Sequence, residues 1–398
     1  MATKHCSFVF VLMEVLLVLA YGNESDPFVP ITVLWGAVKK GAVCLDGSPP
    51  AYNFVRGYGS GANNWVISLE GGGWCTDIES CTRRAKSGMG SSLYMGEKEA
   101  FSGILSNRES RNPDFYNWNR VVVRYCDGSS FTGDVEEPLE NSTIPLYFRG
   151  QRIWQAVMEE LLSKGMDNAQ QALLTGCSAG GLATIIHCDQ FRDLLPRSSK
   201  VKCMSDAGFF LDSNDVGGGN SVRSLFKNLS AVQGSVKHLP VACTVGMDDP
   251  SQCFFPQNLL RSIATPLFIL NAAYDSWQIR NILVPVGADH NNKWQLCRNN
   301  IANCHSWQLN VMEGYRDKML HALEVVQSST WGGMYINSCY QHCQTNLQNL
   351  WNSIDSPKLK SKTIGEAIGE WFFDRHVVKY IDCPYPCDST CINRNFTS

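Results

Sequence analysis

The run Ala172-Leu173-Leu174-Thr175 leads straight into Gly176-Cys177-Ser178-Ala179-Gly180, and this junction limits the possible folds of the chain more than any other feature. A Gly-x-Ser-x-Gly pentapeptide after an apolar run and before a helical pattern predicts a sharp strand-to-helix turn. The flanking glycines remove the Cβ atoms that so tight a turn would clash with. The serine hydroxyl is then held at the head of a helix, where backbone N–H groups face any developing negative charge. In a chain with 33 glycines among 398 residues the pentapeptide alone is a weak signal, so its context decides.

That context is a series of short apolar runs, each ending in a polar or glycine-rich turn. Asn64 to Leu69 runs into Glu70-Gly71-Gly72-Gly73-Trp74. Arg120 to Tyr125 runs into Cys126-Asp127-Gly128, and Pro266 to Leu270 runs into Asn271-Ala272-Ala273-Tyr274-Asp275. Near-continuous apolar runs are what strands buried on both faces require. Helical patterns separate them. They cover Gln151 to Lys164, the stretch carrying Leu182, Ile185, Ile186 and Phe191, and Val311 to Val326. Alternating strands and helices predict an α/β fold, a mainly parallel sheet with helices on both faces. In such sheets the ligand crevice lies beyond the carboxyl ends of the strands, where all these turns fall. No repeat, low-complexity tract or linker interrupts the pattern, so a single domain over residues 23–398 is expected.

Composition narrows the class. The chain is 44% hydrophobic and 18% charged, with a net charge of −3 and no basic stripe, which argues against a nucleic-acid partner. Residues 1–22 read as a secretory signal: Lys4 and His5, an apolar stretch from Phe8 to Leu19 broken by Glu14, then small residues at Ala20 and Gly22. That stretch is short for a membrane span, and no stable membrane partner is expected. Seventeen cysteines, one of them within the signal, leave an even sixteen, which suits an oxidising compartment. Sequons at Asn23, Asn141, Asn228 and Asn395 suit the same route. Disulfides are expected rather than zinc, even at the evenly spaced Cys383, Cys387 and Cys391. Cys75 with Cys81 is the natural local pair.

A serine becomes a nucleophile only when a histidine takes its proton, and that histidine needs a carboxylate to fix its tautomer. In α/β-hydrolases the order along the chain is Ser, acid, His. Ser178 supplies the first member. Asp275, at the end of an apolar run, stands where the acid belongs, although an aspartate there can also simply cap a turn. The base lies among His290, His305, His321, His342 and His376. His342 suits best, on a loop after the β-like Met334-Tyr335-Ile336 and between Cys339 and Cys343. The oxyanion needs fixed N–H donors. Ala179 offers one, and the Gly71-Gly72-Gly73 run offers others. Neither a P-loop nor a dinucleotide glycine pattern follows these strands, so no cofactor and no metal is expected.

Six stretches together resemble the plant pectin acetylesterase family: Leu69 to Cys75, Arg124 to Ser129, Gly176 to Gly181, Asn271 to Gln278, Asn337 to Cys343 and Asp382 to Cys387. The resemblance runs from about Val33 onward, and the animal carboxylesterase Notum looks like a more distant relative. It implies an extracellular, cell-wall serine esterase acting on acetylated pectic polysaccharide, with Ser178 as nucleophile, Asp275 as acid and His342 as base. It also implies Gly72 and Gly73 as oxyanion donors beside Ala179. Other readings use the same residues: an esterase for acetylated xylan or a lipid ester, a peptidase, or an inactive carbohydrate-binding protein. Arg83, Arg84 and Lys86, just after the glycine run, are candidates for holding a polyanion, or else an ordinary solvated patch.

Overall fold

The computed structural model describes residues 26–140 and 144–396. The expected secretory signal at 1–22 and the sequons at Asn23 and Asn141 lie outside the described residues. Ten strands form one sheet: β1 (Phe28–Val33), β2 (Ala51–Val55), β3 (Asn64–Leu69), β4 (Lys98–Ala100), β5 (Asn119–Val123), β6 (Gln171–Cys177), β7 (Lys200–Asp206), β8 (Leu267–Ala272), β9 (Gly333–Asn337) and β10 (Lys379–Ile381). Their spatial order is β10-β9-β8-β7-β6-β3-β5-β2-β1-β4. From β10 to β5 every pairing is parallel; β2, β1 and β4 extend the sheet as an antiparallel edge.

The longer helices are α1 (Ile78–Ala85), α2 (Gly150–Ser163), α3 (Ala179–Asp193), α4 (Ser221–Gln233), α5 (Ser306–Ala322) and α6 (Ile364–Phe372). Alternate strand residues point to opposite faces, and both faces are dry. Ile67, Leu69, Val121, Leu174 and Ile269 pack with Ile153, Val157 and Leu161 of α2 and with Leu182 and Ile185 of α3. Val66, Val122, Leu173, Phe268 and Leu270 pack on the other face with Ile364, Ile368 and Phe372 of α6. Covering both faces is what makes the strands read as continuous apolar runs.

The expected strands at 64–69, 120–125, 172–175 and 266–270 all form, each within a few residues of its expected bounds. One more strand, β7, lies between the serine turn and the aspartate-bearing strand. Its polar residues hide it from an apolar pattern search. Lys202 is buried, yet its ammonium donates to Trp371 O at 2.7 Å and pairs with Asp374. A satisfied lysine can therefore occupy a core strand.

The turn after β6 is as tight as the pentapeptide demands. Ser178 has φ 58° and ψ −123°, a strained conformation for a residue with a side chain. A Cβ on Gly180 would lie 2.1 Å from Leu69 O, so α3 can pack against β3 only if that residue is glycine. The obstacle is central-strand backbone, which has no room to move. Gly180→Ala is expected to destabilise the protein by about 1–3 kcal/mol, read as a lower Tm in a thermal melt.

Candidate active site

The carboxyl ends of β3, β6, β8 and β9 bring the four predicted segments to one edge. Ser178 caps the start of α3 after β6. Asp275 follows β8 and caps a short helical turn, its Oδ1 accepting from Trp277 N at 3.0 Å and Gln278 N at 2.9 Å. His342 follows β9. Its Nδ1 lies 2.9 Å from Asp275 Oδ2 and 3.0 Å from Oδ1. The carboxylate is fully buried and the imidazole nearly so. With Nδ1–H donated to Asp275, Nε2 is the basic nitrogen. Ser178, His342 and the glycine run line one cavity of about 650 Å³. The other candidate bases lie elsewhere. His321 is exposed beside Glu324, His290 and His305 are exposed, and His376 lines a different cleft.

The loop carrying His342 runs back across the sheet edge, fastened at each strand it passes. At β8, Ser276 N donates to Gln341 O at 3.0 Å. At β7, Asp206 Oδ2 accepts from Gln344 N, Thr345 N and Thr345 Oγ1 at 2.7–2.8 Å. At β6, Cys343 forms a disulfide with Cys177, so the residue after the imidazole is bonded to the residue before the serine. Asp206 also acts through its backbone, its O accepting from Ser178 N at 2.9 Å. Burial pushes the Asp206 carboxyl up, and the three donors oppose that shift. This aspartate was absent from the sequence reading. Its signal was an aspartate closing a strand, as at Asp275, but the strand itself was obscured by its lysines.

The glycine run passes directly against the serine turn. A Cβ on Gly71 would lie 2.3 Å from Cys177 O and 3.0 Å from Ser178 Cβ. Gly72 O accepts from Arg84 Nη1 at 2.8 Å, and Gly73 O accepts from Tyr125 OH at 2.8 Å. In a trans peptide the N–H points away from the C=O, so these bonds fix the directions of the Gly73 and Trp74 amides. Among the described residues, the amides of Gly72, Gly73 and Ala179 donate to no protein acceptor. Arg84, considered from sequence as a possible polyanion contact, instead braces this loop and sits 4.9 Å over the Tyr125 ring. Arg83 pairs with Glu79 on the surface, and Lys86 is exposed.

Behind the loop is a buried polar network. Tyr125 OH accepts from Ser130 N, Ser130 Oγ donates to Ala179 O, and Trp74 Nε1 donates to Ser130 Oγ. Burial pushes the Tyr125 phenol up, which keeps it a neutral donor. Asp127 Oδ2 gathers Ser129 N, Ser129 Oγ and Phe131 N, and burial raises its carboxyl as well. His187 holds the same turn from α3, with Nε2 3.1 Å from Phe131 O and its ring stacked on Trp154. Trp277 lines the cavity and stacks near His342, and an aromatic cluster backs it, in which Trp74 meets Phe210, Phe226 and Trp277.

All sixteen cysteines among the described residues pair as disulfides, including Cys75–Cys81 as expected. The evenly spaced carboxyl-terminal three divide between Cys383–Cys387 and Cys339–Cys391.

Fold and edge geometry together define an α/β-hydrolase. A family model described as Pectinacetylesterase matches residues 23–392, and the chain belongs to that family. Pectin acetylesterase 7 of Arabidopsis thaliana is 50% identical over 377 residues, covering 94% of this chain and 96% of its own. Pectin acetylesterase 5 of the same plant is 50% identical over 361 residues, covering 91% and 84%. Palmitoleoyl-protein carboxylesterase notum1' of Xenopus laevis is 28% identical over 382 residues, covering 90% and 74%. Among solved structures, the Wnt deacylase Notum from Drosophila shares the fold with a TM-score of 0.77 at 23% identity, covering 92% of this chain and all of that one.

Two predictions follow from the braces around the site. Asp206→Ala leaves two amides and a hydroxyl unpaired in a dry site. It is expected to cost about 2–4 kcal/mol of stability by denaturant titration. It should also lower kcat by about 10–100-fold through displacement of the His342 loop. His187 concerns pH. Burial holds its imidazole down to about 4, against about 6.5 when unfolded. The folded value is the lower one, so this contribution is complete above pH ~6.5 and is lost as pH falls toward ~4. It amounts to roughly 3 kcal/mol. Denaturant titrations across that window should show a steeper loss in the wild type than in His187→Gln.

Proposed function

We propose that this chain is a secreted serine esterase of the plant cell wall that hydrolyses acetyl esters of pectin. In this reading the mature unit is 23–398, a single catalytic domain released from its 1–22 signal. Membership of the pectinacetylesterase family, with relatives of that name at about half identity over nearly the whole chain, supports the substrate. The observation that carries the chemistry is His342 held by a buried Asp275 in the cavity that Ser178 also lines.

Ser178 Oγ attacks the acetyl carbonyl while its proton passes to His342 Nε2. Asp275 stabilises the imidazolium that forms. The tetrahedral oxyanion is met by the amides of Ala179, Gly73 and Gly72, each fixed donor contributing on the order of 3 kcal/mol. His342 then returns the proton to the departing sugar oxygen, leaving acetyl-Ser178. Water repeats the sequence, His342 acting first as base and then as acid, and acetate leaves. No step requires a group beyond these side chains and amides.

Acetate release from acetylated pectin tests this directly. Ser178→Ala and His342→Ala are each expected to lose about 10⁴-fold or more in kcat with unchanged Tm. Substantial turnover by a folded Ser178→Ala protein would remove Ser178 from the mechanism. Covalent capture of a fluorophosphonate by the wild type, and not by Ser178→Ala, separates an esterase from an inactive sugar-binding protein. Lack of peptide cleavage separates it from a peptidase.

A further inference from the structure

Among the described residues, Arg394 is the one lysine or arginine lining the cavity that holds Ser178 and His342. It lies far from the serine in sequence and reaches the cavity because the carboxyl-terminal segment is fastened to the His342 loop. Cys391 is disulfide-bonded to Cys339. Gln341 Nε2 donates to Ile392 O at 2.5 Å, and Tyr340 N donates to Asn393 Oδ1 at 2.7 Å. Arg394 N donates to Tyr340 O at 2.8 Å, and Phe396 N donates to Asn299 O at 2.9 Å. The ring of Phe396 lies under the guanidinium of Arg280, 3.9 Å away. The backbone of Arg394 is thus held on both sides.

Its side chain is aimed with equal care. Nε donates to Gln341 Oε1 at 3.1 Å, and Gln341 is the residue just before His342. Among the described residues, neither terminal amino group has a protein acceptor. Arg124, behind the lining, is of the opposite kind. Arg124 is taken up by Glu70 at 3.0 Å and Glu99 at 3.1 Å, and both carboxylates line the cavity. Two acids around one guanidinium leave no unpaired positive charge at that end. Glu70 follows β3, Arg124 follows β5 and Glu99 lies in β4, whereas Arg394 rides on the loop after β9. Ser178, after β6, stands between the two ends.

We propose that Arg394 is the carboxylate-recognising residue of this site: it pairs with a uronate carboxylate of the polysaccharide and so selects an acidic glycan over a neutral one. The inference rests on the pectin reading given above. A guanidinium presents two parallel N–H donors that match a carboxylate, and an arginine already held through Nε loses little freedom on binding. The end at Glu70 and Glu99 offers no free cation to the same carboxylate, so the charge pattern also sets which way the chain lies across Ser178.

The test uses p-nitrophenyl acetate, a small neutral ester, with an unacetylated galacturonate oligomer as inhibitor. The oligomer is expected to inhibit the wild type competitively. In Arg394→Gln its Ki should rise about tenfold, with Arg394→Lys in between. The ratio of kcat/KM on acetylated polygalacturonan to that on p-nitrophenyl acetate should fall by a similar factor in Arg394→Gln. Methyl-esterifying the polymer's carboxyls should lower that ratio in the wild type and hardly change it in the variant. An unchanged Ki and ratio in Arg394→Gln, at unchanged Tm, would overturn the proposal. So would equal losses on polymer and small ester, which mark a merely structural arginine. Inhibition by the oligomer in a wild type that releases no acetate from pectin would overturn the functional reading alone and leave Arg394 as an anion site.

Discussion

The His342 loop has to return from β9 to β6, and the rest of the site depends on how it is held there. Adjacent strands lie about 4.8 Å apart, so three strand spacings separate the two ends by roughly 14 Å. A free loop of that reach would sample many positions. Here it is tied to each strand it crosses: to Ser276 at β8, to Asp206 at β7 and through Cys343 to Cys177 at β6. The last tie joins residues 166 apart in sequence. Closing a loop of that length removes more freedom from the unfolded chain than the short-range disulfides do, by itself roughly 5 kcal/mol in the chain-entropy model. The same bond restrains the relative position of the neighbouring residues Ser178 and His342, the proposed nucleophile and base. Stability and pre-organisation come from one covalent link.

The serine turn and the glycine run are held by different means. Both are backbone features, and backbone donors stay aimed only if their carbonyls are engaged elsewhere. Arg84 engages Gly72 O, which aims the Gly73 amide, and Leu182 N engages Ser178 O, which aims the Ala179 amide; Tyr125 and Ser130 hold the next carbonyls, those of Gly73 and Ala179. Tyr125 and Ser130 are buried, so each must itself be satisfied. Tyr125 and Ser130 satisfy one another, Asp127 satisfies the turn beyond them, and His187 closes the set from α3. Their raised or lowered pKa values reflect how dry the region is, and dryness strengthens the dipoles aimed at the cavity.

Legibility from the sequence followed the physics of burial. Strands covered on both faces are written as apolar runs, so β3, β5, β6 and β8 could be read directly. The serine turn could be read because its geometry excludes side chains at Gly176 and Gly180. His342 stood out through its flanking cysteines, and Asp275 through its place at the end of a strand. Lys202 masked β7, since its partner Trp371 O is 169 residues away, and with β7 went Asp206. The Cys177–Cys343 pairing was beyond reach for the same reason: it depends on which strand ends become neighbours. Arg84 looked like a surface charge because its acceptors are backbone oxygens, which carry no mark in a sequence.

The cysteine-fastened tail raises a question of economy. A carboxyl-terminal segment can pack on a domain anywhere, yet this one is bonded to the very loop that carries His342, through Cys339, Tyr340 and Gln341. Packing alone would not require Arg394 to extend toward the cavity, nor its Nε to be held by the residue beside His342. Arg394 is half-buried, makes one side-chain hydrogen bond and gives up side-chain freedom in making it. An anion between the fixed amino groups adds the paired contact that this position is set to make. The cavity's own acids are already engaged by Arg124, so the anion has to arrive with the substrate.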